Sequence, residues 1–479
     1  MTTTAPGVTV RQREARTGAS IAVDEGTAFF VGITEKGSAS AAILCRNMDQ
    51  VEDATGDAVA AGLIHASADA FFREGGSRLY IGRVVGDSAA VSAVTMDDGA
   101  TDSVRFEAIS PGAWGDDLDV IVAGQNQVTV ELDGEVVEES PATLTTKALI
   151  IAWAGNSSYI RAVDAGAGAF PDDGTGSLVG GSDDSGSAAD DNWQAALDVL
   201  VKDLGPGQVA APGRTSEVGQ QQLLAHAEAN NRVALIDPAN TGTKGTLVSA
   251  ANALHDDDNA RFGAMFAPWV VIPGTTAGTT RTVPPSAVVA GIIANSDASG
   301  NNPNVAAAGD QGISVSAQEL SQDSWIEEDR ADLNDAGVNV IRQRAVTGTI
   351  QVYGFRSLAD PVTDDAFIQF TASREFMSLA ARGDQALEAF VFGEVDGKGV
   401  FFSKVEGALR SICLEDYNLG ALYGDTPDEA FKVTCNESIN PPAQIAQGEI
   451  HAVIEARVSP FAERVVLEIV KVANTEALV

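Results

Sequence analysis

The chain has 479 residues, with 67 Asp and Glu against 30 Lys and Arg, and a net charge of −37. This length predicts two to four domains with ample room for buried cores. The charge argues against a free nucleic-acid-binding surface and against binding to acidic membranes, because both need clustered Lys and Arg. Copies that assemble must keep their like charges apart, screen them with salt or match them with a basic partner.

Three cysteines, Cys45, Cys413 and Cys435, show no CxxC spacing, which argues against a disulfide framework and against a Cys-based zinc site. We expect three reduced and mostly buried thiols. No apolar stretch reaches the ~18 residues that a transmembrane helix needs. The opening residues lack the basic and apolar regions of a signal peptide. We therefore expect folding in the cytosol, without a membrane anchor.

Residues 1–25 have the pattern of an extended N-terminal arm. Pro6-Gly7 is a turn signal, Val8-Thr9-Val10 predicts a short strand, and residues 11–16 are locally basic. The arm has too few apolar residues to order itself. It is therefore either a frayed terminus or a strand that is lent to a neighbouring molecule.

A discontinuous middle domain is predicted over residues 26–103 and 187–345. Its first part is expected to hold a strand at 28–33, a helix at 57–73 and a strand at 78–85. From Trp193 to Asn295 helical and strand patterns alternate, including a long strand pattern at 262–272. This alternation predicts a mainly parallel, Rossmann-like sheet that is covered by helices.

Residues 104–186 predict a small β-domain that is inserted into the middle domain. The expected strands lie at 104–109, 119–123, 127–132 and 148–153. The stretch 174–191 is rich in Gly, Ser and Asp, which predicts a flexible link back to the middle domain.

Residues 346–479 are predicted to form a C-terminal α+β domain, with candidate helices at 367–382 and 384–391. Residues 449–458 alternate between apolar and polar side chains, as half-buried strands do. A last strand is predicted at 464–471, with one face formed by Val465, Leu467 and Ile469. Since no hairpin folds it back, this strand is either an edge of its own sheet or is donated to a neighbour.

No stretch has the residue pattern of a common catalytic or nucleotide-binding site. GxGxxG, the P-loop, HExxH and GxSxG are all missing from the sequence. The acidic run at 256–258, beside His255, fits a solvated helix end better than a metal site. We therefore expect no cofactor and no metal, and an enzyme has no support.

Nine segments, in order along the chain, carry a resemblance: PGVTV at 6–10, AFFVG at 28–32, FFREGGSRLYIGRV at 71–84, SPGAWGD at 110–116, PPSAVVAGIIANSD at 284–297, LN at 333–334 with GVN at 337–339, YGFRSL at 353–358, GALYG at 420–424 and TPDEAF at 426–431. Together they resemble the contractile tail sheath family of myophages and related injection machines. One departure is the helix near residues 370–376, which has a single Arg and no Trp where the family has an aromatic residue and two arginines.

The resemblance implies a structural subunit and no enzyme. Such subunits stack as hexameric rings into a helical sheath around an inner tube, and the sheath contracts without nucleotide hydrolysis. The implied partners are further copies of the chain, the tail tube protein, and the baseplate and tail terminator proteins. The implied location is the virion tail, with assembly in the host cytoplasm.

The resemblance also implies that both terminal strands pair with sheets of neighbouring C-terminal domains. The residues expected in this exchange are Val8, Thr9, Val10, Val465, Leu467 and Ile469. Arg374 and Arg382 are expected to face the tube. The middle and inserted domains are expected to lie outward.

Three alternatives stay open. The first is the sheath of a bacterial contractile injection system or tailocin. The second is an enzyme that acts on surface glycans, and the third is a passive shell or surface-layer protein.

Overall fold

A computed structural model describes residues 23–300, 302–322 and 325–467. Within these residues the strands are β1 Ala28–Gly32, β2 Ile43–Cys45, β3 Leu79–Arg83, β4 Ala93–Asp97, β5 Asp102–Ala108, β6 Leu118–Ala123, β7 Gln127–Leu132, β8 Glu135–Glu139, β9 Ile160–Asp164, β10 Gly174–Ser177, β11 Gln208–Ala210, β12 Val233–Ile236, β13 Gly263–Ala267, β14 Val270–Pro273, β15 Thr280–Val283, β16 Glu319–Leu320, β17 Val338–Gln343, β18 Ile350–Val352, β19 Phe431–Thr434 and β20 Val453–Ala456.

The α-helices of the same residues are α1 Met48–Thr55, α2 Ile64–Arg73, α3 Lys147–Ala154, α4 Asp190–Asp198, α5 Glu217–Ala229, α6 Lys244–His255, α7 Pro285–Ala298, α8 Glu327–Asp335, α9 Phe370–Leu387, α10 Val400–Leu419, α11 Pro427–Ala430 and α12 Pro442–Ile445. The prediction of a multidomain α/β chain is confirmed at this coarse level. In the part of the chain that the structure describes, no helix is both long and apolar enough to cross a bilayer.

The middle domain is built on an eight-stranded sheet in the order β18-β17-β13-β12-β11-β1-β3-β2. The six strands from β17 to β3 run parallel, and an antiparallel strand closes each edge. Strands β1, β3, β12 and β13 are buried along their whole length, as expected when helices cover both faces. The strands of residues 28–83 thus lie in one sheet with those of residues 208–352.

Helices cover the two faces of this sheet in separate layers. One layer contains α2, α7 and the first half of α9, and the other contains α4, α5, α6 and α8. Helices α2 and α7 pack closely because Gly291 has no side chain: a Cβ there would lie 2.6 Å from the carbonyl oxygen of Phe71.

Several predicted boundaries of the middle domain differ from the observed ones. The helix predicted at 57–73 begins only at Ile64, because Gly62 interrupts the pattern; α1, which is capped by Gly56, precedes it. The strand predicted at 262–272 is two strands, β13 and β14, because Pro268 lies between them. The middle domain also extends past residue 345, since β18 pairs with β17.

The inserted β-unit consists of two small sheets, β10-β6-β7-β8 and β4-β5-β9, around a common apolar core. It begins at β4, earlier than the predicted residue 104. Two predictions are wrong here. The strand predicted at 148–153 is helix α3, because Thr146 caps its start and the apolar run fits either structure. The predicted flexible link contains β10, which pairs with β6.

The C-terminal domain packs two long helices against the two-stranded sheet β19-β20. Helix α9 belongs to both domains: Phe370 and Met377 lie in the middle core, whereas Leu379 lies in the C-terminal core. The predicted helices at 367–382 and 384–391 are one helix, α9. Helix α10 was not predicted, although Phe401, Val405 and Leu409 recur at helical spacing.

Candidate functional site: a small sheet with two open edges

The small sheet of the C-terminal domain is the candidate functional site. Gly420 ends α10 in a left-handed conformation, which turns the chain back along the helix. The short helix α11 then leads into β19. Strand β20 pairs with β19 antiparallel, with Phe431 opposite Ala456 and Thr434 opposite Val453. The strand predicted at 449–458 is thus present but shorter.

The two faces of this sheet differ in chemistry. Phe431 and Val433 of β19 are buried against α10, and Ile454 and Ala456 of β20 pack on the same core. On the other face, Lys432 and Glu455 form an exposed ion pair with an N–O distance of 3.5 Å. The predicted inward face of residues 450–456 is therefore confirmed.

Both edges of the sheet carry backbone groups that have no strand partner among the described residues. The N–H of Arg457 donates to the Ala430 carbonyl at 2.8 Å, and the Arg457 carbonyl accepts from Tyr423 at 2.7 Å. Backbone groups alternate sides along a strand. Those of Ile454, Ala456 and Val458 therefore point to the open edge of β20. On β19, those of Val433 point to the open edge, whereas the Phe431 N–H donates to the Pro427 carbonyl of α11.

The chain leaves the small sheet and returns to the middle domain. The Phe461 N–H donates to the side chain of Gln369 at 3.0 Å, and Gln369 donates to the Phe461 carbonyl at 3.0 Å. The Arg356 guanidinium donates to both carboxylate oxygens of Glu463, at 2.9 and 2.5 Å. These contacts hold Phe461 and Glu463 against the middle domain, immediately before residues 464–467.

Beyond this point the described C-terminal residues are apolar and exposed. Val465, Val466 and Leu467 are 86%, 76% and 81% exposed, and residues 464–467 form no strand within the chain. Ile469 and the N-terminal residues Val8, Thr9 and Val10 lie outside the described residues. The strand exchange predicted for these positions stays a prediction.

The first described residues contact the same helix that lies beside Phe461. Ser378 of α9 donates to the Glu25 carboxylate at 2.6 Å, and Gln208 donates to the Glu25 carbonyl at 2.6 Å. Burial raises the pKa of Glu25. Gln369, which holds the C-terminal segment, immediately precedes α9. Residues close to both ends of the described chain are therefore held at helix α9 or at the residue before it.

The prediction that Arg374 and Arg382 face a tube finds no support in the single chain. Arg374 is fully buried and donates to both oxygens of Asp297 at 2.7 Å. Arg382 is 7% exposed and donates to Asp416 at 2.5 Å. Each guanidinium is neutralised inside the chain, so neither offers a free cation at the surface.

These two arginines belong to a buried charge cluster where the middle and C-terminal domains meet. Its carboxylates come from Glu25, Asp297, Glu375 and Asp416, so acids outnumber the two guanidiniums. Burial and the neighbouring Asp416 raise the pKa of Glu375 to about 8. Both Glu375 carboxylate oxygens are buried next to the Asp416 carboxylate, with which a protonated Glu375 shares a hydrogen bond. The sequence offered no signal for this cluster, because its members are far apart along the chain.

The described residues contain no group of three or more His, Cys, Asp or Glu that could hold a metal ion. Cys45, Cys413 and Cys435 are free and buried, and burial raises the pKa of Cys45 to about 11.

No family model and no curated protein matches the chain. Solved structures do match it over nearly its whole length. The helical sheath of the anti-feeding prophage in its contracted state is 17% identical, with 98% of this chain and 99% of that chain covered and a TM-score of 0.57. The chain has the contractile sheath fold.

Other solved proteins share this sheath fold. A sheath tail protein of Listeria innocua is 15% identical, with 91% of this chain and 95% of that chain covered and a TM-score of 0.61. The sheath of an extracellular contractile injection system, PVC, in its contracted state is 16% identical, with 98% of each chain covered and a TM-score of 0.57. The fold implied by the sequence resemblance is confirmed.

Proposed function

We propose that the chain is the subunit of a contractile sheath, which polymerises around an inner tube and contracts to drive that tube through a target envelope. The observation that carries this proposal is the small sheet with two open edges in a chain that has the sheath fold. An isolated two-stranded sheet is marginally stable. Strands donated by neighbouring copies would pair with the open edges of β19 and β20 and complete the sheet.

The proposed donors are the two terminal segments. Residues 8–10 and 465–469 have strand patterns. The described part of the second segment is exposed and unpaired within the chain. Main-chain ladders between copies would let each subunit rotate without losing its neighbours. Such links suit a sheath that contracts as a whole and needs no nucleotide hydrolysis.

The proposed partners are further copies of the chain in hexameric rings, an inner tube protein, and baseplate and terminator proteins. A chain of the anti-feeding prophage baseplate matches this one, with 16% identity and a TM-score of 0.59. In this arrangement the C-terminal domain lies toward the tube, while the middle domain and the β-unit lie outward. The acidic charge would then face solvent.

Two settings fit the proposal, a phage tail and a bacterial injection system or tailocin. Structures with the same fold come from injection systems and from proteins described as sheath tail proteins. We propose the virion tail as the location, with assembly in the host cytoplasm. Capsid and terminase genes beside the gene of this chain would mark a phage.

Electron microscopy of the purified protein over a range of salt tests the proposal. We expect hollow tubes of uniform diameter once salt screens the net charge. Flat lattices would indicate a shell protein instead. Monomers at every salt concentration, even after co-expression with a tube protein, would contradict the sheath assignment.

Proline substitutions test the strand exchange separately. Val465→Pro with Leu467→Pro removes two backbone N–H groups, whereas the matched alanine pair keeps them. Two lost backbone hydrogen bonds cost about 1–3 kcal/mol, so we expect at least a ~10-fold loss of pelleted tubes for the proline pair alone. Deleting residues 1–16 should likewise abolish tubes. Normal tubes from both the proline pair and the deletion would rule out strand exchange.

A further inference from the structure

The loop between α9 and α10 exposes an aromatic side chain in an unusual backbone conformation. Phe392 is 102% exposed and has a φ of 63°, in the left-handed region that residues other than glycine seldom adopt. The adjacent Val391 is 54% exposed, and Val400 at the start of α10 is 49% exposed. An exposed apolar group on strained backbone gains nothing within its own chain, which points to a use in recognition.

Hydrogen bonds and packing hold this loop in place. The Asp396 carboxylate accepts from the N–H groups of Lys398, Val400 and Phe401, at 2.7, 3.2 and 3.0 Å. The ring of Phe390 packs against that of Phe401, with centroids 6.1 Å apart. The fixed loop keeps the Phe392 ring outside the C-terminal core.

A groove of about 580 Å³ lies at the opposite end of α10. It is lined by aromatic, aliphatic and charged residues, including Tyr417, Leu422, Tyr423, Asp425, Arg457 and Ser459. Tyr423 is 63% exposed, and Arg457 makes no ion pair with any described residue. An aromatic ring in this groove would contact the two tyrosines, and the free guanidinium could lie over its face.

The phenyl ring and the groove cannot meet within one molecule. Helix α10 has 20 residues and is therefore about 30 Å long, with Phe392 before its start and the groove at its end. A projecting group and a matching groove on opposite ends of one rigid element produce head-to-tail contacts. Such contacts repeat into rings or helical filaments.

We propose that Phe392 of one copy inserts into the groove at the Tyr423 end of α10 in the next copy. This contact is additional to strand exchange and rests on the proposed function only in that copies assemble. Its apolar centre adds no like charge between molecules that each carry −37. Lys398, in the same loop, could then approach Asp425 and Glu429 at the rim of the groove, which would match opposite charges.

Cysteine cross-linking between two single variants tests the contact. The three native cysteines are buried, so a short bis-maleimide will join only introduced thiols at the surface. We expect Val391→Cys, which keeps the adjacent Phe392 ring, and Tyr423→Cys proteins to form a covalent dimer when they are mixed, and neither to do so alone. Val346→Cys serves as the matched control, because Val346 is 94% exposed on the middle domain. It should not cross-link to Tyr423→Cys.

The amount of cross-linked dimer can be measured whether or not tubes form, so this experiment is independent of the test of the sheath assignment. A mixture that gives no more dimer than the single variants, in preparations with tubes or without them, overturns the proposal. Protection of the Tyr423→Cys thiol that disappears when residues 464–479 are deleted would also overturn it. The groove would then hold a neighbour's terminal segment.

A second measurement addresses the side chain itself. We expect Phe392→Ser to raise the protein concentration needed for tubes by at least ~10-fold, as central aromatic anchors do in other interfaces. Phe392→Leu keeps an apolar group and should raise it less. The thermal unfolding of the monomer should be the same for both variants. Equal assembly by wild type and Phe392→Ser contradicts the insertion.

Discussion

The eight-stranded sheet and the two-stranded sheet differ in how their edge strands are treated. The eight-stranded sheet of the middle domain is covered by helices on both faces, and an antiparallel strand closes each edge. The two-stranded sheet of the C-terminal domain is covered on one face, and both of its edges are open within the described residues. Open edges invite added strands, and proteins normally block them.

This difference in edge pairing separates the stability of the monomer from the stability of the assembly. The large sheet completes its hydrogen bonds and its core within one molecule, so its stability belongs to the monomer. The small sheet has a core on α10 but lacks strand partners at its edges among the described residues, so the proposed assembly would add to its stability. The monomer should therefore tolerate changes at the small sheet that the assembly does not.

The largest expected effect is a cavity in the large sheet. Phe30 of β1 is fully buried, with its ring 5.9 Å from that of Phe71. Phe30→Ala should lower the free energy of unfolding by about 3–5 kcal/mol. The matched control Phe392→Ala removes the same atoms from an exposed position, and we expect less than about 0.5 kcal/mol. Urea unfolding measures the free energy of unfolding of both variants. Similar losses in the two would contradict the view that the stability of the monomer resides in the large sheet.

The second expected effect is a dependence of the middle domain on pH. Burial, together with the Arg232 guanidinium, lowers the pKa of His226 to about 3. An unfolded histidine titrates near 6.5, so the unfolded state binds a proton that the folded state does not between these values. Stability is therefore full above pH 6.5 and falls on acidification toward pH 3, by up to about 4 kcal/mol.

The variant His226→Gln removes the contribution of His226 to the pH dependence of stability, because glutamine keeps an acceptor for Arg232 and does not titrate. All five tryptophans lie before residue 326, so their fluorescence reports on the middle domain and the β-unit. We expect the wild type to lose stability more steeply than the variant between pH 6.5 and 4. Parallel curves would show that His226 is not the group responsible.

The large sheet was largely predictable from sequence, and the reason is local. Its strands are short buried runs such as AFFVG at 28–32, and amphipathic helices separate them. Each element is specified by neighbours along the chain. The errors occurred where a short apolar run fits two structures, as in α3, or where glycines and Pro268 divide a longer pattern.

The C-terminal domain was harder to predict because its determinants are distant. The alternation at 450–456 revealed β20, but the partners of its open edge are not encoded next to it. Arg374 and Arg382 were expected to face the tube because of the family resemblance. Asp297 and Asp416, which hold them inside, lie 77 and 34 residues away along the chain. No spacing pattern links such pairs.

A third effect is expected where the two domains meet, and it is confined to that junction. Burial and Asp416 raise the pKa of Glu375 to about 8, so the folded state keeps a proton that the unfolded state loses near pH 4.5. The resulting stability is complete below pH 4.5 and declines as the pH rises to 8, by at most about 1.4 kcal/mol per pH unit.

Glu375→Gln keeps this site neutral at every pH. We expect hydrogen-exchange protection of α9 and α10, corrected for intrinsic exchange, to fall between pH 6 and 8 in the wild type and to stay level in the variant. The eight-stranded sheet should show no difference between the two proteins. An unchanged slope in Glu375→Gln would assign the titration to another group.

The smallest expected effect concerns the exposed face of the small sheet. Lys432 and Glu455 pair across β19 and β20, with side chains that are 71% and 64% exposed. Alanine variants in a double-mutant cycle should give a coupling of about 0.5 kcal/mol or less in the monomer, reduced further by salt. A coupling well above 1 kcal/mol that resists salt would mean that this face is already shielded from water. The small sheet would then be complete in the monomer, and the contrast between the two sheets would fail.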